Sequence, residues 1–142
     1  MVRSMLAVVL GAIAALATLL LLQSLGMMLF PLPPGTPLDT EEDLARIVAA
    51  AGTGERLWSL LCWLLAALAA GAVAARTSHR HGLAAALCAG ALVSCAVALD
   101  TALLPRPAWL AVAGILLPAP AAWLGARLAW PRSPAAAGSK GG

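Results

Sequence analysis

Charge is scarce in this 142-residue chain: Asp, Glu, Lys and Arg make up 11% of it, against about 25% in an ordinary soluble domain. That shortage excludes a water-soluble globule, which needs polar side chains over its whole surface. Cysteine is scarce too. Cys62, Cys88 and Cys95 each sit inside an apolar run, so they read as small hydrophobes and not as a disulfide framework. Cys88 and Cys95 fall two turns apart on one helix, about 10 Å by helical rise, which is too far for a bridge. The chain also lacks a nucleophile elbow, a phosphate-binding glycine loop, a metal quartet and a Cys-x-x-Cys pair. Sequence therefore assigns no catalytic residue, no metal ligand and no cofactor. The net charge of +3 is spread over basic residues scattered beside apolar runs, without the stripe and interleaved aromatics of a nucleic-acid binder.

What the chain has in abundance is hydrophobic residues, 62% of the total. They gather in four stretches, about 5–30, 57–75, 82–104 and 108–130. A helix needs about 20 residues to cross a hydrocarbon core of about 30 Å, and each stretch suffices. Helix is the conformation to expect, because an open strand in lipid leaves backbone groups unpaired and no period-2 alternation suggests a barrel. The first stretch is too long for the h-region of a signal peptide and precedes no clean small-residue cleavage site. The expected fold is an all-α membrane protein, a four-transmembrane-helix bundle over 1–130, followed by a disordered tail of Pro, Ala and Gly over 131–142.

Charge then orients the bundle. With both termini cytoplasmic, the inner side carries Arg3, Arg76, Arg80, Arg127, Arg132 and Lys140, and the outer side carries Arg46, Arg56 and Arg106. All six acids, Asp39, Glu41, Glu42, Asp43, Glu55 and Asp100, fall outside or near the outer surface. The largest outer loop, 31–56, opens stiffly with Pro31, Pro33, Pro34 and Pro37 and then forms a short amphipathic helix. Asp39 or Thr40 caps that helix, Asp43 answers Thr40 three residues on, Leu44, Ile47, Val48 and Ala51 make its apolar side, and Gly52 stops it. On these terms it lies at the outer surface, against the bundle or the headgroups.

Small residues recur every fourth position. The third stretch carries Gly82, Ala86, Gly90, Ser94 and Ala98; the second carries Ala67, Gly71 and Ala75; the first carries Ala7, Gly11 and Ala15. Such stripes let helices approach closely in lipid, either within the chain or against another subunit, as a homo-oligomer or in a larger membrane complex. Pro118 and Pro120 remove backbone donors from the fourth stretch and kink it.

Ionisable groups in lipid are the first place to look for function, and Asp100 is the one candidate. Its plain role is to pair with Arg106 or to cap the short turn 104–107. The sharper alternative is a ligand pocket in which Asp100 and Arg106 join Gln23 and Ser24, which fall at a similar depth in the first helix. His79 and His81 lack further ligands for a metal and, beside Arg76 and Arg80, suit contact with anionic headgroups. Trp58, Trp63, Trp109, Trp123 and Trp130 mostly fall near the predicted helix ends, where an indole prefers the membrane interface, and locate the boundaries of the spans.

Leu25-Gly26, Phe30-Pro31-Leu32-Pro33 with Gly35, the acidic 39–44 segment, Ala70-Gly71 to Ala74-Ala75-Arg76, Pro107-Ala108-Trp109 and Trp123 to Ala129 occur in that order. In this the chain resembles a group of small four-helix bacterial integral membrane proteins of unknown function. The resemblance covers nearly the whole chain and implies the fold, the topology and a bacterial cytoplasmic (inner) membrane, but no activity. In that group the outer end of the first helix often carries Glu and His; Gln23 and Met27 stand there in this chain, which implies that any chemistry of that pair is absent. The leading expectation is a non-enzymatic accessory or structural subunit acting through helix contacts in the bilayer. The alternatives are a subunit of an oligomeric transporter or channel for a small or lipophilic solute, and a membrane-embedded enzyme on a lipid-like substrate with Asp100 as acid or base.

Overall fold

The structure, a computed structural model, describes residues 2–129 except 33, 38 and 79–81, with side chains from residue 5 onward. The expected tail disorder, the roles given to His79, Arg80, His81 and Trp130, and the side chain of Arg3 lie outside the described residues. Among the described residues six helices follow in order: α1 (Val2–Leu29), α2 (Glu41–Ala50), α3 (Thr53–Thr77), α4 (Gly82–Leu103), α5 (Ala108–Leu116) and α6 (Pro118–Ala129). No strand occurs among the described residues. Four segments are long and apolar enough to span a membrane: Met5–Leu29, Thr53–Thr77, Gly82–Leu103 and Ala108–Ala129. The shorter two have 22 residues, about 33 Å at 1.5 Å per residue, which covers a hydrocarbon core of about 30 Å.

The fourth span is two helices. Pro118 cannot donate to the Gly114 carbonyl nor Pro120 to that of Leu116, so regular helix ends at Leu116 and resumes at Pro118. Leu117 between them keeps a near-helical backbone, with φ −78° and ψ −26°, so the chain kinks without turning back. Intact bonds flank the break, Leu117 N–H to Ala113 O at 3.0 Å and Ala121 N–H to Leu117 O at 3.1 Å.

The distribution of side-chain size is the reverse of a soluble core. Apart from Cys62, Trp63, Val97, Leu110 and Pro118, the buried apolar side chains among the described residues are alanines, while Met5, Leu16, Leu21, Leu92, Leu99 and Leu128 are exposed. In water such a surface is untenable. In lipid it is the arrangement that close helix packing requires, and it is compatible with an integral membrane protein.

α3 packs against α1, α4, α5 and α6. Ala66, Ala70 and Ala74 of α3 share an interior with Ala7 and Ala15 of α1 and Ala85 and Ala89 of α4. Ala75, Ala86 and Ala126 close the same end against α6. The beginning of α1 and the end of α6 therefore lie at one end of the spans, the end that carries Arg76. At the opposite end lie Asp100, Arg106 and α2.

The small residues meet differently from the pairing expected among the first three stretches. A Cβ on Gly71 would run into the backbone of Ala122, one on Gly90 would lie 2.7 Å from the Ala122 side chain, and one on Gly125 would strike the Leu68 carbonyl. The fourth span thus packs Ala122 against both Gly71 of the second and Gly90 of the third. Its own stripe, Gly114, Pro118, Ala122 and Ala126, is buried throughout, and the prolines within it mask that regularity in the sequence.

α2 buries none of its residues and stands apart from the spans. Thr40 is its N-cap: its Oγ1 accepts from the Asp43 N–H at 3.2 Å and donates to Asp43 Oδ2 at 2.8 Å. Gly52 does not stop this helix. Ala51 is its C-cap, and Gly52 instead caps the start of α3, where its N–H donates to Glu55 Oε2 at 3.1 Å. That carboxylate begins α3 at Thr53, four residues before the apolar run, because capping and not hydrophobicity decides where a helix starts.

Candidate functional site

Asp100 lies in the last turns of α4, and Arg106 lies on the short connection to α5. The α4 backbone ends with the Leu104 N–H on the Asp100 carbonyl at 3.0 Å, which returns the chain toward its own last turn. Arg106 Nη2 then reaches Asp100 Oδ2 at 2.8 Å. The same guanidinium stacks on Trp63, 5.1 Å from the ring centroid. The arginine side chain is 14% exposed and the carboxylate 35%, so the pair sits half sheltered at the rim of the apolar region. The contact is an ion pair through Nη2, and Arg106 Nε is a buried donor without a hydrogen-bond partner among the described residues.

Trp63 is a residue whose place sequence misjudged. It was expected at the interface, but it is ten residues into α3, 5% exposed, and packed with Val97 and Leu110. Gly114 makes room for it, since a Cβ there would lie 2.5 Å from the indole. Trp58, one turn inside α3, lies on α1 instead: its Nε1 donates to the Leu22 carbonyl at 3.2 Å, and glycine at position 26 allows the approach.

Two hollows flank the ion pair. The larger, about 620 Å³, separates the inner face of α2 from the ends of α1, α3 and the start of α5. Phe30, Val48, Trp58 and Leu110 give it apolar walls, and Arg46, Arg56 and Arg106 give it three cations against the single carboxylate of Glu55. Arg56 Nη2 donates to the Ala49 carbonyl at 3.2 Å, while its buried Nε has no partner. Arg46, 78% exposed, stands 3.9 Å from Asp43. The smaller hollow, about 290 Å³, is an apolar cleft between α1 and α4 over the floor of α3, with Asp100 at one end. Gln23 lines both.

Of the residues expected at a ligand site, Arg106 and Gln23 line the larger hollow and Asp100 and Gln23 the smaller. Ser24 does not. Its hydroxyl donates to the Leu20 carbonyl at 2.9 Å, within its own helix, and lines neither hollow. In the sequence Arg46 and Arg56 are topology charges alone; nothing in their spacing shows that they line one hollow with Arg106. Among the packing residues, Gly82, Ala86, Gly90, Ala67, Gly71 and Ala75 are buried, whereas Ser94 and Ala98 are half-buried.

No protein-family model, curated protein or solved structure matches the chain.

Proposed function

We propose that this protein is a non-enzymatic integral membrane component, of a bacterial cytoplasmic membrane, that acts through helix contacts within the bilayer and keeps both termini cytoplasmic. The observation that carries this reading is the outward face of α4. Ala84, Cys88, Ala91 and Cys95, spaced i, i+4, i+7 and i+11, are all exposed. The stripe Gly82, Ala86 and Gly90 on the same helix is consumed within the chain, so a partner is met by this second, parallel stripe of small side chains. A narrow smooth face suits a second helix better than it suits lipid chains, because backbones approach closely where side chains are small.

Asp100 supports the same reading. A general acid or base needs a proton to give or take, and this carboxylate is engaged by Arg106 at 2.8 Å. The cationic ends of α3 and α6, at Arg76 and Arg127, lie at the end of the spans where the chain begins, which fits an inner side rich in arginine.

Native mass spectrometry from nanodiscs, combined with oxidative cross-linking through Cys88 or Cys95, tests the proposal. A dimer or a stoichiometric partner joined through those thiols is the expected result. A strictly monomeric chain that brings no other protein with it overturns the reading, and reporter fusions that place the two termini on opposite sides overturn the topology.

A further inference from the structure

We infer that the two hollows form one binding site for a single anionic glycerophospholipid, head group in the arginine-lined chamber and one acyl chain in the α1–α4 cleft. This is independent of the helix-contact reading, since it concerns the interior of one chain.

The chemistry of the larger chamber selects the head. Arg56 and Arg106 each hold a buried Nε with no partner, and the guanidinium fork is the donor geometry that phosphate oxygens accept. Among the described residues Arg56 is otherwise held only by the main-chain carbonyl of Ala49, whereas Glu55 is already engaged by the Gly52 N–H. A phosphate seated there answers the guanidinium groups of Arg56 and Arg106, both of which line the chamber. A cavity of about 620 Å³ lies within the range of about 300–1,000 Å³ that small-molecule sites occupy.

The cleft selects the tail. It runs along α1 from Ala12 to Gln23 and along α4 from Ala89 to Asp100. Eleven residues of helix rise about 16 Å, half of a hydrocarbon core of about 30 Å. The cleft is therefore one leaflet deep, and its walls, Leu16, Leu19, Leu92 and Val93, are apolar. Gln23, common to both linings, marks the level at which a glycerol backbone would pass from one to the other. A free phosphate would satisfy the arginines alone and leave the cleft without an occupant.

The test is native mass spectrometry of the full chain released from nanodiscs of mixed phosphatidylglycerol and phosphatidylcholine, with sn-glycerol 3-phosphate in a separate arm. Wild-type protein is expected to retain one phosphatidylglycerol, with phosphatidylcholine at least tenfold lower and no glycerol phosphate. Arg56→Gln removes a guanidinium that lines the chamber and has no ion-pair partner among the described residues, and Ala96→Trp fills the cleft from an exposed position; each is expected to cut the adduct at least tenfold with circular dichroism unchanged. Equal retention of the two lipids, retention of glycerol phosphate, or an undiminished adduct in either folded variant overturns the inference.

Discussion

Arg106 binds Asp100 at 2.8 Å across the end of α4 while its guanidinium lies over the ring of Trp63. One side chain thus ties the α4–α5 connection to α4 by a charge and to α3 by a π-face. Arg106→Ala removes both, and it leaves Asp100 at the membrane rim without its counter-ion. The expected loss is about 1–3 kcal/mol in reversible unfolding in mixed micelles, the scale of stranding a partly sheltered polar group. Arg106→Lys keeps the charge without the flat stacking surface and is expected to lose less. Equal stability of wild type and Arg106→Ala would show that the pair is decorative.

The contact of α3 with α6 depends on the absence of two β-carbons. Gly71→Ala and Gly125→Ala each place a methyl group against backbone, Ala122 and Leu68 respectively, and backbone cannot rotate away. Each substitution is expected to destabilise by about 1–3 kcal/mol, as overpacking does. Gly54→Ala is the control: its added methyl meets only the edge of the Phe30 ring at 3.3 Å, a side chain able to turn. Midpoints of denaturant unfolding for the three variants decide the matter.

The start of α2 rests on one hydroxyl. Thr40→Ala removes both the acceptor for the Asp43 N–H and the donor to its carboxylate, and N-caps of this kind contribute about 1 kcal/mol. Because α2 buries none of its residues, no packing offsets the loss, and faster amide exchange is expected in α2 while α3 is unchanged. Thr40→Ser is expected to restore protection.

Thiol reactivity reports which face of each helix is outward. Cys88 and Cys95 are exposed, and Cys62 is 2% exposed. In single-cysteine variants an apolar maleimide is expected to label positions 88 and 95 in mild detergent and position 62 only after unfolding. Rapid labelling of Cys62 in the folded protein would contradict the packing of α3.

The existence, type and approximate extent of the four spans are legible in the sequence, because in lipid each helix satisfies its own backbone and needs only a long enough apolar run. The break at Leu117 was equally legible, since proline acts through a covalent absence of N–H. What depended on neighbours was not. That the second and third stripes meet across Ala122, that Gly52 starts α3 and does not end α2, and that Trp63 is interior all turn on which helix faces which, and alanine-rich segments present small residues on every side.

The Arg56–Arg106 chamber shows the same division. Local composition determined that these arginines lie at the end of a span, as charge is excluded from hydrocarbon. Only the tertiary structure decided that they share a chamber, because Arg56 opens α3 and Arg106 precedes α5, and no periodicity encodes that these two helix ends adjoin. Helix formation in a membrane is a property of each segment alone, whereas a site is a property of the distances between segments.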